Sequence, residues 1–250
     1  MNELELIVDL HKDNERQGPG SVQDTCKALS FIPNSSDKIL EIADLGCGTG
    51  AQTLDLANNS NAKITAVDIF PEFLNRLNEH ISDAGLDDRI VTKCEDINDL
   101  SFEPESLDII WSEGAIYNLG FEKGVKYWKK FLRPGGYIAV SEITWITAER
   151  PVKIEDFWKT EYPEIDRASG KIQILEENGY SLAGYFYLNK NSWLEKYYYP
   201  LEASIEGFLK RHPQKELADK IVKDCKAEQK LYETYSDYFS YGFYVAKKEE

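Results

Sequence analysis

The stretch Ile39-Leu40-Glu41-Ile42-Ala43-Asp44-Leu45-Gly46-Cys47-Gly48-Thr49-Gly50 constrains the fold more than any other part of the chain. It opens as a short apolar run, the pattern of a strand buried on both faces of a parallel sheet. Glycines then stand at the alternate positions 46, 48 and 50. Without Cβ atoms they admit positive φ and let a ligand lie directly on the backbone. Ala51-Gln52-Thr53-Leu54-Asp55-Leu56-Ala57 follows as a helix, with Leu54 and Ala57 on one face. A strand, a glycine turn and a helix make the first half of a nucleotide-binding βαβ unit. The first amides of such a helix favour a carboxylate or phosphate.

The spacing of the glycines separates ligand classes. Dinucleotide sites carry G-x-G-x-x-G, whereas this loop is G-x-G-x-G with Asp44 at the strand end. Asp44-Leu45-Gly46-Cys47-Gly48-Thr49-Gly50 resembles motif I of class I S-adenosylmethionine-dependent methyltransferases, [D/E]-x-G-x-G-x-G, and matches it at every fixed position. A second passage, Leu132-Arg133-Pro134-Gly135-Gly136-Tyr137, resembles the L-[RK]-P-G-G-x segment of the same class. The resemblance runs from about Asp44 to Glu142. Residues 16–20 and the passage Trp111-Ser112-Glu113-Gly114-Ala115-Ile116-Tyr117-Asn118 are similar to the small-molecule branch of ubiquinone/menaquinone-biosynthesis type.

The resemblance implies an α/β fold: a Rossmann-like, doubly wound, mostly parallel seven-stranded sheet with an antiparallel edge strand and helical cap insertions. It also implies S-adenosyl-L-methionine as cofactor and S-adenosyl-L-homocysteine as product. Carried onto this chain, the cofactor contacts fall on Asp44, Gly46, Cys47, Gly48, Gly50 and Thr53 around the loop, with Ile69 and Glu113 beside it. A second strand over 63–69 ends in Asp68, twenty residues past Gly48. An acid about that far beyond the glycine turn accepts hydrogen bonds from ribose hydroxyls. The other reading of Asp68 is an N-cap for the helix expected over 71–84, which Gly85 closes. After a third strand over 89–94, the resemblance places the adenine at Asp96 and Ile97. Asp96 either accepts from the exocyclic amine or caps a local turn.

The fourth strand, 107–113, leads into a segment that lies beyond the carboxyl ends of the strands, where ligands of open parallel sheets bind. Glu113 and Tyr117 are the polar groups aimed there, and Tyr117 is equally read as wall packing. An amphipathic helix over 124–132 is expected to stop at Arg133-Pro134-Gly135-Gly136, before a fifth strand over 137–143. Upstream, Leu4, Ile7, Val8 and Leu10 suggest a short helix, and Ser21 reads as the N-cap of another with Asp24 in the capping position. Between them, Arg16 sits beside Gly18-Pro19-Gly20. It is either solvated or, as the segment folds over the cofactor, a partner for the methionine carboxylate.

The chain reads as a single domain over 1–250: an N-terminal helical flap over 1–35, a cofactor-binding core over 36–146 and a C-terminal part over 147–250. In the last part, helices are expected over 154–160, 169–178, 201–210 and 215–235, with strands over 182–188 and 241–246. The aromatic-rich insertion at about 190–240 is either core or an apolar lid, and Lys247-Lys248-Glu249-Glu250 reads as a solvated tail.

The net charge of −15, from 29 Lys+Arg against 44 Asp+Glu, either serves solubility alone or repels polyphosphate, which disfavours nucleic acid; the expected partner is a small-molecule acceptor, with no nucleic acid. Cys26, Cys47, Cys94 and Cys225 are scattered, which fits a reducing, cytoplasmic setting. No run suits stable membrane insertion, and monomer and homodimer both stay open. His11, His80 and His212 are far apart and give no metal pattern. His11, Glu113 and Tyr117 are the candidate catalytic groups if the acceptor must lose a proton. Carbon, oxygen and nitrogen acceptors all remain open. Two further readings compete: a non-enzymatic S-adenosylmethionine-binding sensor, and an NAD-type oxidoreductase, which the glycine spacing and Asp44 oppose.

Overall fold

The computed structural model describes residues 1–33 and 38–249. Two helices, α1 (Glu3–His11) and α2 (Val22–Leu29), precede a regular alternation. It runs β1 (Leu40–Leu45), α3 (Ala51–Asn59), β2 (Ala62–Asp68), α4 (Pro71–Ala84), β3 (Ile90–Cys94), β4 (Leu107–Glu113), α5 (Phe121–Trp128) and β5 (Leu132–Trp145). The remainder comprises α6 (Val152–Glu161), the short β6 (Asp166–Arg167), α7 (Ala168–Glu177), β7 (Tyr180–Tyr187), α8 (Lys190–Trp193), α9 (Tyr199–Arg211), α10 (Glu216–Tyr235) and β8 (Phe239–Lys248).

The sheet order is β3-β2-β1-β4-β5-β8-β7, with β6 paired to β5 off this path. Strands β1 to β5 are parallel, and β8 runs antiparallel to both β5 and β7. The expected mostly parallel sheet is therefore present, with β6 as an eighth strand beyond the seven expected and with its reversed strand one place in from the edge. The order reverses between β1 and β4, which opens a crevice at their carboxyl ends.

Alternation along the strands builds a core on each face. Ile42, Ile64, Ile109 and Trp111 pack on one face with Leu56 of α3 and Leu74, Leu77 and Ile81 of α4. Ala43, Leu45, Ile110 and Val140 pack on the other with Val125 and Trp128 of α5 and Leu175 of α7. A third cluster joins Leu6 and Leu10 of α1 to Leu201, Ile205 and Phe208 of α9 and to Ile221 of α10. Burying each such side chain stabilises by about 1.5–3 kcal/mol. The flap and the C-terminal cap thus share one small core, although nearly 200 residues of sequence separate Leu10 from Phe208.

Ser21 caps α2 as expected, accepting from the Asp24 amide at 3.2 Å and donating to Asp24 Oδ2 at 2.6 Å. Three boundaries differ from expectation. Helix α5 stops at Trp128, and β5 already begins at Leu132, which pairs with Leu107. Arg133-Pro134-Gly135-Gly136 then forms an irregularity within the ladder, where the register shifts between Leu107 and Ile109 and Gly135 takes φ +75°. Pairing on both sides turns a break into a bulge. Second, β7 starts at Tyr180 rather than 182. Third, Lys247 and Lys248 belong to β8 and the Lys248 ammonium donates to the Leu132 carbonyl at 2.6 Å, while Lys247 and Glu249 are exposed as expected of a solvated tail. The expected boundary at 35/36 and Glu250 lie outside the described residues. Among those described, no helix is long and apolar enough to cross a membrane.

Candidate functional site

The loop after β1 is held from below by the end of β2. The amides of Gly46 and Cys47 both donate to the Val67 carbonyl, at 2.8 and 3.0 Å. The Gly48 amide donates to Asp68 Oδ2 at 2.9 Å, and the Phe70 amide to Asp68 Oδ1 at 3.0 Å. Gly48 takes φ +56°, and a Cβ there would stand 2.1 Å from Gln17 Oε1. Helix α4 has no side-chain cap, so Asp68 ties the loop instead of capping that helix. Asp68 is only 7% exposed, and burial pushes its carboxyl upward against the pull of the Phe70 and Gly48 amides.

Asp44 lies fully buried beneath the loop. It accepts from Thr53 Oγ1 at 2.6 Å and from Gln52 Nε2 at 3.5 Å, which fixes the first turn of α3 against β1. Burial pushes its pKa up to about 7. Asp44, Gly50 and Thr53 stand behind the loop and do not line the cavity in front of it, whereas Gly46, Cys47, Gly48 and Gln52 do. The loop amides are already engaged: Thr49 N donates to Gln17 Oε1 at 2.8 Å and Gly50 N to the Cys47 carbonyl at 3.0 Å. The glycines therefore provide room for close approach rather than free donors.

That cavity, about 760 Å³, extends over the carboxyl ends of the central strands and lies within the size range of small-molecule sites. The flap closes one side of it. Arg16 is 7% exposed, with its guanidinium 2.9 Å from Asp55 of α3 and 3.0 Å from Glu113 of β4. Glu113 also accepts from Thr25 Oγ1 at 2.8 Å and from the Trp111 indole at 2.9 Å. Gln17 is a residue that sequence reasoning missed. Its amide nitrogen donates to the His11 and Asn14 carbonyls and to Thr49 Oγ1, while its oxygen takes the Thr49 amide. Only its adjacency to Arg16 and the glycine-proline turn marks it in the sequence.

Ile69, Phe70, Asp96 and Ile97 line the cavity near Asp68. Asp96 Oδ1 accepts from the Asn98 amide at 2.8 Å and from its side chain at 3.0 Å, which holds the carboxyl below its usual range. The turn-capping reading of Asp96 is thus realised, with the residue still at the cavity wall. His11 is not brought to the cavity. Its Nδ1 lies 2.9 Å from the Ile7 carbonyl, its ring stacks on Tyr197, and burial lowers its pKa. Among the described residues no cluster of three or more His, Cys, Asp or Glu has metal-holding geometry.

The far end of the cavity is lined by Tyr117 together with residues that sequence reasoning did not single out as site residues. Glu142 of β5, Trp158 of α6, Tyr162, Glu228 of α10 and Tyr241 of β8 meet there, with Trp193 and Tyr197 from the cap. Of the aromatic-rich insertion, Trp193, Tyr198 and Tyr232 are buried in the core, Trp193 and Tyr197 also line the cavity, and carboxylates are set among these rings. Glu142 is 1% exposed, and among the described residues neither of its oxygens has a hydrogen-bond partner. The Lys171 ammonium stands 3.6 Å away and donates instead to the Glu164 carbonyl at 2.9 Å. Burial pushes Glu142 up to about 7, and burial also lowers Lys171. These residues come from elements far apart in the chain, so no local pattern announces them.

Residues 42–136 match a family model described as a methyltransferase domain. The chain is similar to the 27-O-demethylrifamycin SV methyltransferase of Amycolatopsis mediterranei, 27% identical over 47% of this chain and 43% of that protein. It is also similar to methyltransferase GfsG of Streptomyces halstedii, 27% identical over 56% of this chain and 54% of that protein. The chain thus spans about half the length of these curated relatives. In fold it is similar to a SAM-dependent methyltransferase from Geobacter sulfurreducens crystallised with S-adenosyl-L-homocysteine. That likeness has a TM-score of 0.81 at 16% identity and covers 97% of each chain.

Proposed function

We propose that this chain, whose residues 42–136 match a methyltransferase domain, is a class I enzyme transferring the methyl group of S-adenosyl-L-methionine to a small molecule. One observation carries the reading: the glycine loop and the Asp68 carboxylate, hydrogen-bonded to each other, form adjoining walls of a ligand-sized cavity. The residues there fit the cofactor. Each oxygen of Asp68 accepts one backbone amide and keeps a second lone pair for a ribose hydroxyl. Asp96, with Oδ1 spent on Asn98, has Oδ2 to offer an exocyclic amine, and Ile69, Phe70 and Ile97 provide apolar surface for a ring. Arg16 and Glu113 stand at the amino-acid end. Two of the five guanidinium donors are used, and the rest are available to a carboxylate.

Asp44, Gly50 and Thr53 act from behind, by holding the loop and α3 in register. Glu113 already receives three donors, so it anchors the flap rather than serving as a free base. Tyr117 remains at the acceptor side. The bound cofactor supplies a methyl group on a cationic sulfonium, whose charge is lost on transfer. Trp158, Trp193, Tyr197 and Tyr241 exclude water from that end, which favours the loss of charge.

The surface charge of −15 supports a small acceptor over nucleic acid. Four free thiols support a reducing, cytoplasmic setting, and the shared core of α1 with α9 and α10 supports one domain over 1–250. The test is transfer of labelled methyl from the cofactor to pooled phenols, quinols, amines and carboxylates, with and without EDTA. Label is expected in a small product and unaffected by the chelator. Label found only in tRNA or protein, or dependent on added divalent metal, would overturn the reading.

A further inference from the structure

Glu142 is a buried carboxylate whose two oxygens, four lone-pair sites in all, have no hydrogen-bond partner among the described residues. Such a group is costly unless a donor arrives from elsewhere. Lys171 partly balances its charge at 3.6 Å, but that ammonium is hydrogen-bonded to the Glu164 carbonyl and is not itself part of the cavity wall. Glu228, at the same end, accepts from Tyr198 through one oxygen only, at 2.9 Å. Glu161 adds a third acid there, and Arg16, the one basic side chain lining the cavity among the described residues, is held by Asp55 and Glu113. The walls between the carboxylates are the rings of Trp158, Tyr162, Tyr197 and Tyr241.

We propose that this chamber is a binding site for an amine acceptor, and that Glu142 receives a proton from its nitrogen; the proposal rests on the methyltransferase reading and adds the acceptor class to it. An ammonium brings up to three N–H donors to oxygens that lack them, and its charge is attracted both by the carboxylates and by the aromatic faces. A carboxylate- or phosphate-bearing acceptor meets like charge at this end, while the remaining Arg16 donors face the amino-acid end of the cofactor. An alcohol brings a single donor to the same oxygens. For transfer, one N–H proton passes to a Glu142 oxygen, which frees the nitrogen lone pair. That pair forms the new N–C bond to the methyl carbon as the C–S bond breaks and its electrons stay on sulfur. The proton then leaves Glu142 for solvent. The charged and titratable groups at Glu142 are Lys171 of α7, Tyr162 and Glu164 beyond α6, Tyr117 after β4, Tyr241 of β8 and Glu228 of α10.

The experiment is calorimetric binding of benzylamine, benzyl alcohol and benzoate, probes of similar size, to the full chain with and without S-adenosylhomocysteine. Benzylamine is expected to bind at least about tenfold more tightly than the alcohol, with benzoate weakest. Glu142→Gln should erase that preference while S-adenosylhomocysteine affinity stays unchanged, and Glu228→Gln should reduce it. Equal binding of amine and alcohol, tighter binding of benzoate, no binding by any of the three, or a preference intact in Glu142→Gln would each overturn the amine assignment. The wild-type ranking decides the matter even if one variant fails to fold. Absence of S-adenosylhomocysteine binding would strike the methyltransferase reading instead, since the probe ranking is also measured without it.

Discussion

The two ends of the cavity are built in different ways. The glycine-loop end comes from one continuous βαβ segment, and its shape is a backbone shape: positive-φ glycines, amides tied to Val67 and Asp68, and Asp44 locking helix to strand from below. The opposite end is a meeting of side chains from β5, α6, α10 and β8, with polar atoms left open and aromatic rings between them. The first end is rigid and almost fully satisfied, as suits a constant ligand. The second is unsatisfied and chemically particular, as suits a ligand that differs from one relative to the next. The flap joins them, because Arg16 reaches both α3 and β4.

Disturbing each end in turn sharpens this contrast. The largest effect is expected at the joint. Arg16 and Glu113 have side chains 6% and 5% exposed, so Arg16→Ala leaves the buried Glu113 and the partly buried Asp55 without their cation. Stability should fall by about 3–5 kcal/mol in chemical denaturation. A loss under about 1 kcal/mol would mean that the flap is not fastened this way. Next comes Asp44, raised from 3.8 to about 7 by burial. Because the folded value is the higher one, its contribution is full below 3.8 and is lost as pH rises through about 7. Relative to Asp44→Asn, the wild type should therefore lose stability across that window, at about 1.4 kcal/mol per pH unit. Parallel pH profiles would show that the carboxyl is not held in a dry site. The smallest effect is expected from Gln17→Ala, about 0.5–1.5 kcal/mol. Hydrogen exchange at residues 12–20 and at the Thr49 amide should nonetheless quicken, and in the wild type S-adenosylhomocysteine should slow it. Unchanged exchange in both experiments would make the flap a passive arm.

The same contrast explains what was legible in the sequence. Gly46, Gly48 and Gly50 are visible because a backbone geometry that only glycine tolerates leaves a trace at fixed spacing, and Asp68 is visible because the βαβ unit sets its distance from the loop. The parallel strands β1 to β5 are visible as apolar runs alternating with helices. Glu142 and Glu228 left no such trace: one lies in an ordinary strand and the other on a 20-residue helix, and only tertiary packing makes them neighbours. Gln17 is similar, since its role depends on where the flap lands. His11 shows the converse. A histidine near the flap looked chemically apt, yet α1 turns it toward Tyr197 and the Ile7 carbonyl. The turn at Arg133-Pro134-Gly135-Gly136 was legible as irregular backbone, but pairing with β4 made it a bulge inside a strand.

The claim on which the account depends most is that the Asp68 end of the cavity holds the adenosine of the cofactor. Calorimetric titration of S-adenosylhomocysteine into wild type and Asp68→Ala tests it directly, with unfolding profiles and benzylamine affinity followed alongside. The account predicts a loss of about 1–3 kcal/mol in the variant, roughly 5- to 150-fold in Kd, from removing a charged acceptor. Benzylamine affinity measured without cofactor should move by no more than about twofold, as for separate sites. Equal S-adenosylhomocysteine affinity in the two proteins would contradict the account.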